Sequence, residues 1–258
     1  MKQSTKIFEK KFIRLRNAIE RKGIALIKRA LKQQYKQFLE RAKQTDFRQW
    51  PQLPETISEA PIKQFFEQYY QMSAKLAVIS RNNLVNMKAE EEDAIYESIF
   101  ANKLKSLVAE SGQKISTITN TSKDRILKVI QNVLSEGETE GYGIDKMTSQ
   151  LYREVGKELR GNGFARARAI AQTEIISASN QASQMAVEST GLKYKKYWST
   201  SGLPGIRPSH LDAEQYSAEN NGIEPNAVFP NGLLYPGDPA GPPEEVINCR
   251  CTILHEVY

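Results

Sequence analysis

After Trp198 the chain passes through "SGLPGIRPSH", "ENNGIEPN", "FPNG" and "YPGDPAGPP", about forty residues dense in proline, glycine, asparagine and aspartate. Proline removes a backbone donor and fixes φ, and glycine loses the most conformational freedom on ordering. Neither helix nor strand can run far through such a segment. A compact domain rarely holds so long a structureless stretch without a function or an organising centre. The residues on either side must therefore brace it.

On the N-terminal side, "RGNGFARARAIAQTEIISASNQASQMAVESTG" reads as a helix from about Phe164 that Gly191 stops. Its inner stripe is Ala167, Ala171, Glu174, Ala178, Gln181 and Met185. These side chains are mostly small, so another backbone is expected to approach closely. Glu174 is a carboxylate on that stripe, and a buried charge is normally paired. Arg168, Arg207 and Arg250 are its expected partners. "LKYKKYWST" alternates as a strand, with Tyr194, Lys196 and Trp198 on one side. Beyond the loops, Val246–Leu254 is expected to be a strand. Period 2 puts Ile247, Cys249, Cys251 and Ile253 on one face and Asn248, Arg250 and Thr252 on the other.

The chain before this is helical in pattern. Phe8, Phe12, Leu15 and Ile19, then Leu26, Ile27, Ala30, Leu31, Tyr35 and Phe38, fall at helical spacing past Gly23. The prolines of "DFRQWPQLPETISEAP" interrupt the pattern. It resumes over about 61–110, with Phe65, Phe66, Tyr69, Leu76, Ile79, Leu84, Ile95, Ile99, Leu104 and Leu107 inward and Glu90–Asp93 solvated. Two more helices are expected, over about Ser122–Leu134, ending near Gly137, and Ile144–Leu159. The fold class is α+β: a long, mainly helical N-terminal part followed by a small α+β C-terminal domain with long loops. The divisions are 1–48, a basic amphipathic helical arm, 49–160, a helical domain, and 161–258, the α+β domain.

Charge separates the arm from the rest. Residues 1–48 hold 15 Lys or Arg against 4 Asp or Glu, within a chain of net charge +6. A basic arm on a mildly acidic body suggests an anionic partner, and Lys10, Lys11, Arg14, Arg16, Arg21, Lys22, Lys28 and Arg29 are the contact positions expected for nucleic acid or a protein partner. No segment approaches the ~18 apolar residues of a membrane span, and no signal-peptide pattern opens the chain, so folding in the cytoplasm is expected and no membrane partner.

The only two cysteines are Cys249 and Cys251, and the only two histidines are His210 and His255. A disulfide across i and i+2 of a strand is poor geometry, since the Cβ atoms stand ~6.6 Å apart against the ~3.8 Å required. Zinc at His210, Cys249 and Cys251, completed by His255 or a carboxylate, is the minority reading, because the spacing is unlike paired zinc ligands. The favoured reading has no cofactor: both thiols pack like small hydrophobes. On that reading, replacing both by serine lowers stability without removing a metal. No phosphate-binding loop appears.

Taken in order, "RARAIAQTE", Asn180 in "SASNQA", Trp198 in "KKYWST", "RPSH" with Arg207 and His210, the adjoining Leu211 and Asp212, "VFPNGLLYPGDP" and "EEVINCRC" resemble the Mu F-like minor head protein family of tailed bacteriophages. The likeness is strong over about 155–258 and looser from about 115. Gln172 stands where the family usually has arginine, and Ala213 where it usually has glycine. The resemblance makes Arg168, Thr173, Glu174, Asn180, Trp198, Arg207, His210, Asp212, Asn248, Cys249, Arg250 and Cys251 the motif residues, with a structural rather than catalytic role. It implies a non-enzymatic head-morphogenesis protein of the virion head, assembled in the host cytoplasm near the portal vertex. The implied partners are the portal protein, a scaffold or major capsid protein, and double-stranded DNA. Some relatives carry toxin domains after this motif, and none is expected here. Two alternatives remain: a metal-dependent enzyme acting on nucleic acid, with Glu174, Arg207, His210, Asp212 and Arg250 lining its pocket, or a DNA-binding protein acting through the basic arm.

Overall fold

A computed structural model describes residues 3–85, 111–200, 202 and 204–258. The chain divides into two compact units, and neither is contiguous. One comprises Met1–Gly23, Tyr69–Leu107 and Ala169–Tyr258, the other Ile24–Gln68 and Val108–Arg168.

The second unit is helical. It takes in the C-terminal half of α1 (Gln3–Gln44), a 3-10 segment (Phe47–Thr56), the start of α2 (Ala60–Val85), α3 (Gly112–Glu140), α4 (Ile144–Glu158) and a π-helical segment (Leu159–Gly163). Ile27, Ala30, Leu31, Tyr35, Phe38 and Ala42 recur every three or four residues along α1, and all are buried. Tyr35, Phe38, Ala42, Trp50, Ile57, Ile126, Ile130, Val133, Met147, Leu151 and Val155 form one apolar core. The prolines of the interrupting segment fit a 3-10 helix opened by Asp46, whose carboxylate accepts from the Arg48 N–H. Its Trp50 is buried and donates to the Ala42 carbonyl at 3.1 Å.

α3 is longer than its sequence pattern predicts. It does not stop near Gly137, which is buried with its missing Cβ facing the Met147 sulfur. The helix ends instead at Gly141, in the left-handed conformation that suits glycine. The expected core positions Ile79 and Leu84, by their side chains, lie outside the described residues. So do Ile95, Ile99, Leu104, Leu107 and the acidic run Glu90–Asp93 altogether.

The first unit is built on α5 (Phe164–Glu188) and a two-stranded antiparallel sheet, β1 (Tyr194–Ser199) with β2 (Thr252–Val257). Trp198 pairs with Ile253 and Tyr194 with Val257. Between the strands lie α6 (Pro208–Glu219), the long loops and a single turn, α7 (Pro243–Val246). Tyr194, Lys196 and Trp198 are buried as their alternation predicts.

Two expectations for this unit change. α5 is not buried along one stripe. From Glu174 to Asn180 every residue is buried, while Gln181 and Met185 are only half-buried. A helix buried all round is a central helix, and the small side chains of this one let neighbours close on several faces. The last strand begins at Thr252 rather than Val246. Pro242 and Pro243 start the α7 turn, and Asn248 takes φ 58°, the left-handed region, so an extended chain cannot form before Cys249. Ile247, expected on the inner face, is 46% exposed as a result.

α1 also contributes its N-terminal half to this unit, and Gly23 has a specific purpose there. A Cβ on Gly23 would meet the Tyr69 ring at 2.2 Å. The glycine admits that ring, whose hydroxyl donates to the Ala171 carbonyl at 2.6 Å.

Candidate functional site

The segment from Asn248 to Ile253 is held by side chains of α5 and α1 that reach for its backbone. From α5, the Gln172 amide donates to the Asn248 carbonyl at 3.0 Å, and Thr173 Oγ1 accepts from the Asn248 N–H at 3.1 Å. Further along the helix, Asn180 is fully buried. Its amide donates to the carbonyls of Pro236 (2.8 Å) and Cys251 (3.1 Å), and its oxygen accepts from the Ile253 N–H (3.1 Å). One side chain thus ties the long loop, the central helix and β2 together.

From α1, Arg16 does the same. It is 2% exposed and donates to the carbonyls of Arg250 (3.0 Å) and Cys251 (3.3 Å) and to Thr252 Oγ1 (2.6 Å). Burial holds its guanidinium down to about 10, against the attraction of the nearby thiols. Arg16 is therefore not part of an exposed basic face. Its place is legible in retrospect, four residues after Phe12 and three before Ile19, on the apolar stripe itself. Lys10, Lys11, Arg14, Arg21, Lys22 and Arg29 are exposed. Lys28, in the helical unit, is half-buried with its ammonium 4.7 Å from the centre of the Phe164 ring.

Beneath Arg16 lies a cluster of soft donors. His210, on α6, and the two cysteines are buried, and their donor atoms all lie within 4.8 Å of one another. His210 Nδ1 is 3.3 Å from Cys251 Sγ and 3.8 Å from Cys249 Sγ. The Cys251 N–H donates to Cys249 Sγ at 3.4 Å. On the other side of the ring, Nε2 stands 2.9 Å from a Glu245 carboxylate oxygen, close but not aligned as a hydrogen bond. Ser209 donates to that same carboxylate. Trp198 packs edge-on to both His210 and Phe229. The two thiols titrate as a pair. Cys249 is held down to about 5, first because Cys251 donates to it, whereas Cys251 is pushed up by giving that hydrogen bond and by burial.

The remaining motif residues are committed elsewhere. Glu174 is buried and accepts from the Tyr70 hydroxyl at 3.1 Å. Arg250 donates to Gln172 Oε1 at 3.1 Å, and Arg207 to the Ile247 carbonyl. Arg168 and Asp212 are exposed. His255 is not drawn to the cysteines. Its Nε2 meets Gln184 Oε1 at 2.9 Å, and its imidazole is pushed down to about 3 by burial and by Lys196. Lys196 is itself buried, donates to the Leu234 carbonyl at 2.9 Å, and is held down to about 8 by burial. Asp238 caps the same loop through the N–H groups of Leu234 and Ala240. Lys196 lies within "KKYWST" and on the inner side of its strand, and Asp238 lies within "VFPNGLLYPGDP", whereas Gln184 lies in no motif. Nothing in the sequence gives the partners of any of the three.

Residues 128–254 match the family described as Phage Mu protein F like protein. Every motif residue from Arg168 to Cys251 lies inside that match. Over these residues, just under half of the chain, the protein is similar to the Mu F-like family. This is a family of structural proteins of phage heads. The Mu F-like match begins within α3, ahead of residue 161. Neither a curated protein nor a solved structure is significantly similar to the chain. No helix among the described residues is long and apolar enough to cross a membrane.

Proposed function

We propose that the protein is a minor component of the virion head, non-enzymatic, which acts in head assembly at the portal vertex and touches packaged double-stranded DNA through the exposed cations of α1. The observation that carries this reading is the Mu F-like match over residues 128–254. The site is consistent with it. Gln172, Thr173, Asn180 and Arg16 are engaged with backbone groups of the closing segment, as the parts of a structural clamp would be. Contact with the portal protein, and with a scaffold or major capsid protein, follows from the role rather than from a particular surface. Lys10, Lys11, Arg14, Arg21, Lys22 and Arg29 are exposed and suit a polyanion.

Two measurements test the two parts. Heads assembled in the presence of the tagged chain should carry it together with the portal protein. Portal-bearing heads that form normally and never contain it would overturn the assembly role. Duplex DNA affinity should fall steeply with salt. Replacing the six exposed cations by glutamine should flatten the log–log salt slope by about one for each phosphate that the variant no longer neutralises. An unchanged slope would remove DNA from the reading.

A further inference from the structure

We propose that His210, Cys249 and Cys251 bind one zinc ion, and that this ion is the organising centre of the loop-rich unit. The distances favour it. Tetrahedral zinc with bonds of ~2.0 Å to nitrogen and ~2.3 Å to sulfur sets its nitrogen and sulfur ligands about 3.5 Å apart. The two nitrogen–sulfur separations here are 3.3 and 3.8 Å, on either side of that value. All three donors are buried, so the ion would sit out of bulk water.

The surroundings supply what a metal ligand needs beyond its donor atom. A ligating histidine usually turns its other nitrogen to a carboxylate, which fixes the ring and raises its basicity. Glu245 is 2.9 Å from His210 Nε2 and is itself held by Ser209, which leaves Nδ1 directed to the thiols. The Cys251 N–H already points at the Cys249 sulfur, a contact that stabilises a thiolate. Both sulfurs bind the metal as thiolates, any thiol proton passes to solvent, and the two thiolates balance the charge of the ion.

The backbone explains how a Cys-x-Cys pair can serve. A regular strand would part the two sulfurs, but Asn248 in the left-handed conformation and the late start of β2 at Thr252 place Cys249 and Cys251 in irregular chain. Among the described residues no fourth side chain joins the group. A solvent molecule completes the tetrahedron. The ion would join α6, at the head of the long loops, to the segment that closes them.

The test uses the full chain, purified without chelating resin or chelator. Metal analysis should find about one zinc per folded chain. Cobalt chloride added to the metal-free protein should produce the intense near-ultraviolet thiolate-to-cobalt absorption and visible bands of tetrahedral cobalt. Cys251→Ser and His210→Ala should each cut zinc content at least tenfold. A chelator should lower the melting temperature of the wild-type chain but not that of Cys251→Ser. Folded wild-type chain with less than a tenth of a zinc per molecule and no thiolate–cobalt band would overturn the proposal. So would a folded Cys249→Ser, Cys251→Ser double variant that keeps its zinc. If the variants do not fold, the wild-type metal content and the cobalt spectrum decide alone. Zinc content is read independently of any role in heads, so its failure leaves the head reading standing.

Discussion

Around Phe38 and Ile130 the chain is held by apolar side chains at helical spacing, whereas around Asn180 it is held by polar side chains that reach for backbone groups. In the helical unit the buried set is mainly apolar, with Tyr35, Phe38, Trp50, Ile126, Ile130, Val133 and Leu151, and includes a buried polar pair, Gln34 donating to Thr119 Oγ1 and also to the Ser58 carbonyl. In the loop-rich unit, Arg16, Asn180, Gln184, Lys196, His210 and His255 are all buried. The difference follows from composition. Helices satisfy their own backbone and need only an apolar face, while forty residues of loop present carbonyls and N–H groups that must find partners one at a time.

Each unit can be broken by a substitution of its own kind. Phe38→Ala should be the most costly, at about 3–5 kcal/mol, because a fully buried ring leaves a cavity in a close-packed core. Urea unfolding measures it, and a cost under about 1 kcal/mol would mean the helical core is not close-packed there. Asn180→Leu keeps the volume but strands the Pro236 carbonyl and the Ile253 N–H. The expected cost is about 2–4 kcal/mol. A near-neutral result would show that the polar clamp contributes little.

A smaller, pH-dependent effect sharpens the same point. His255 is neutral in the folded chain, with its folded value at about 3 against an ordinary 6.5. The folded state therefore binds fewer protons than the unfolded state between those values. This contribution is complete above pH 6.5 and falls away as pH drops toward 3. Between about pH 7 and pH 5 the stability falls by about 2 kcal/mol. His255→Gln should flatten that part of the stability–pH curve, and an identical curve in the variant would assign the acid sensitivity to other groups.

How much can be read from the sequence divides along the same line. The α1 stripe and the Tyr194, Lys196, Trp198 alternation are legible because apolar periodicity is a local signal. The start of β2 is not, since it depends on Asn248 entering the left-handed region, which its side chain permits but does not require. The place of Arg16 on the apolar stripe sets it apart from the other arm cations, but its partners at Arg250, Cys251 and Thr252, more than 230 positions away, are not legible. His210 lies 39 and 41 residues from the two cysteines, so their meeting is a product of the folded loops rather than of spacing. Burial of Glu174 is legible from its place on the small-residue stripe. Its hydrogen bond from Tyr70 is not, because that tyrosine comes from a helix that no motif links to it.

Polar side chains and their backbone partners, added to the packing of Trp198, Phe229 and Ile253, hold the loop-rich unit closed. Hydrogen exchange on the wild-type chain and on Asn180→Ala tests this most directly. Amides over residues 230–257, with Ile253 foremost, should lose protection at least tenfold in the variant while those of 24–68 and 112–168 keep theirs. Equal protection in both proteins over 230–257 would contradict it.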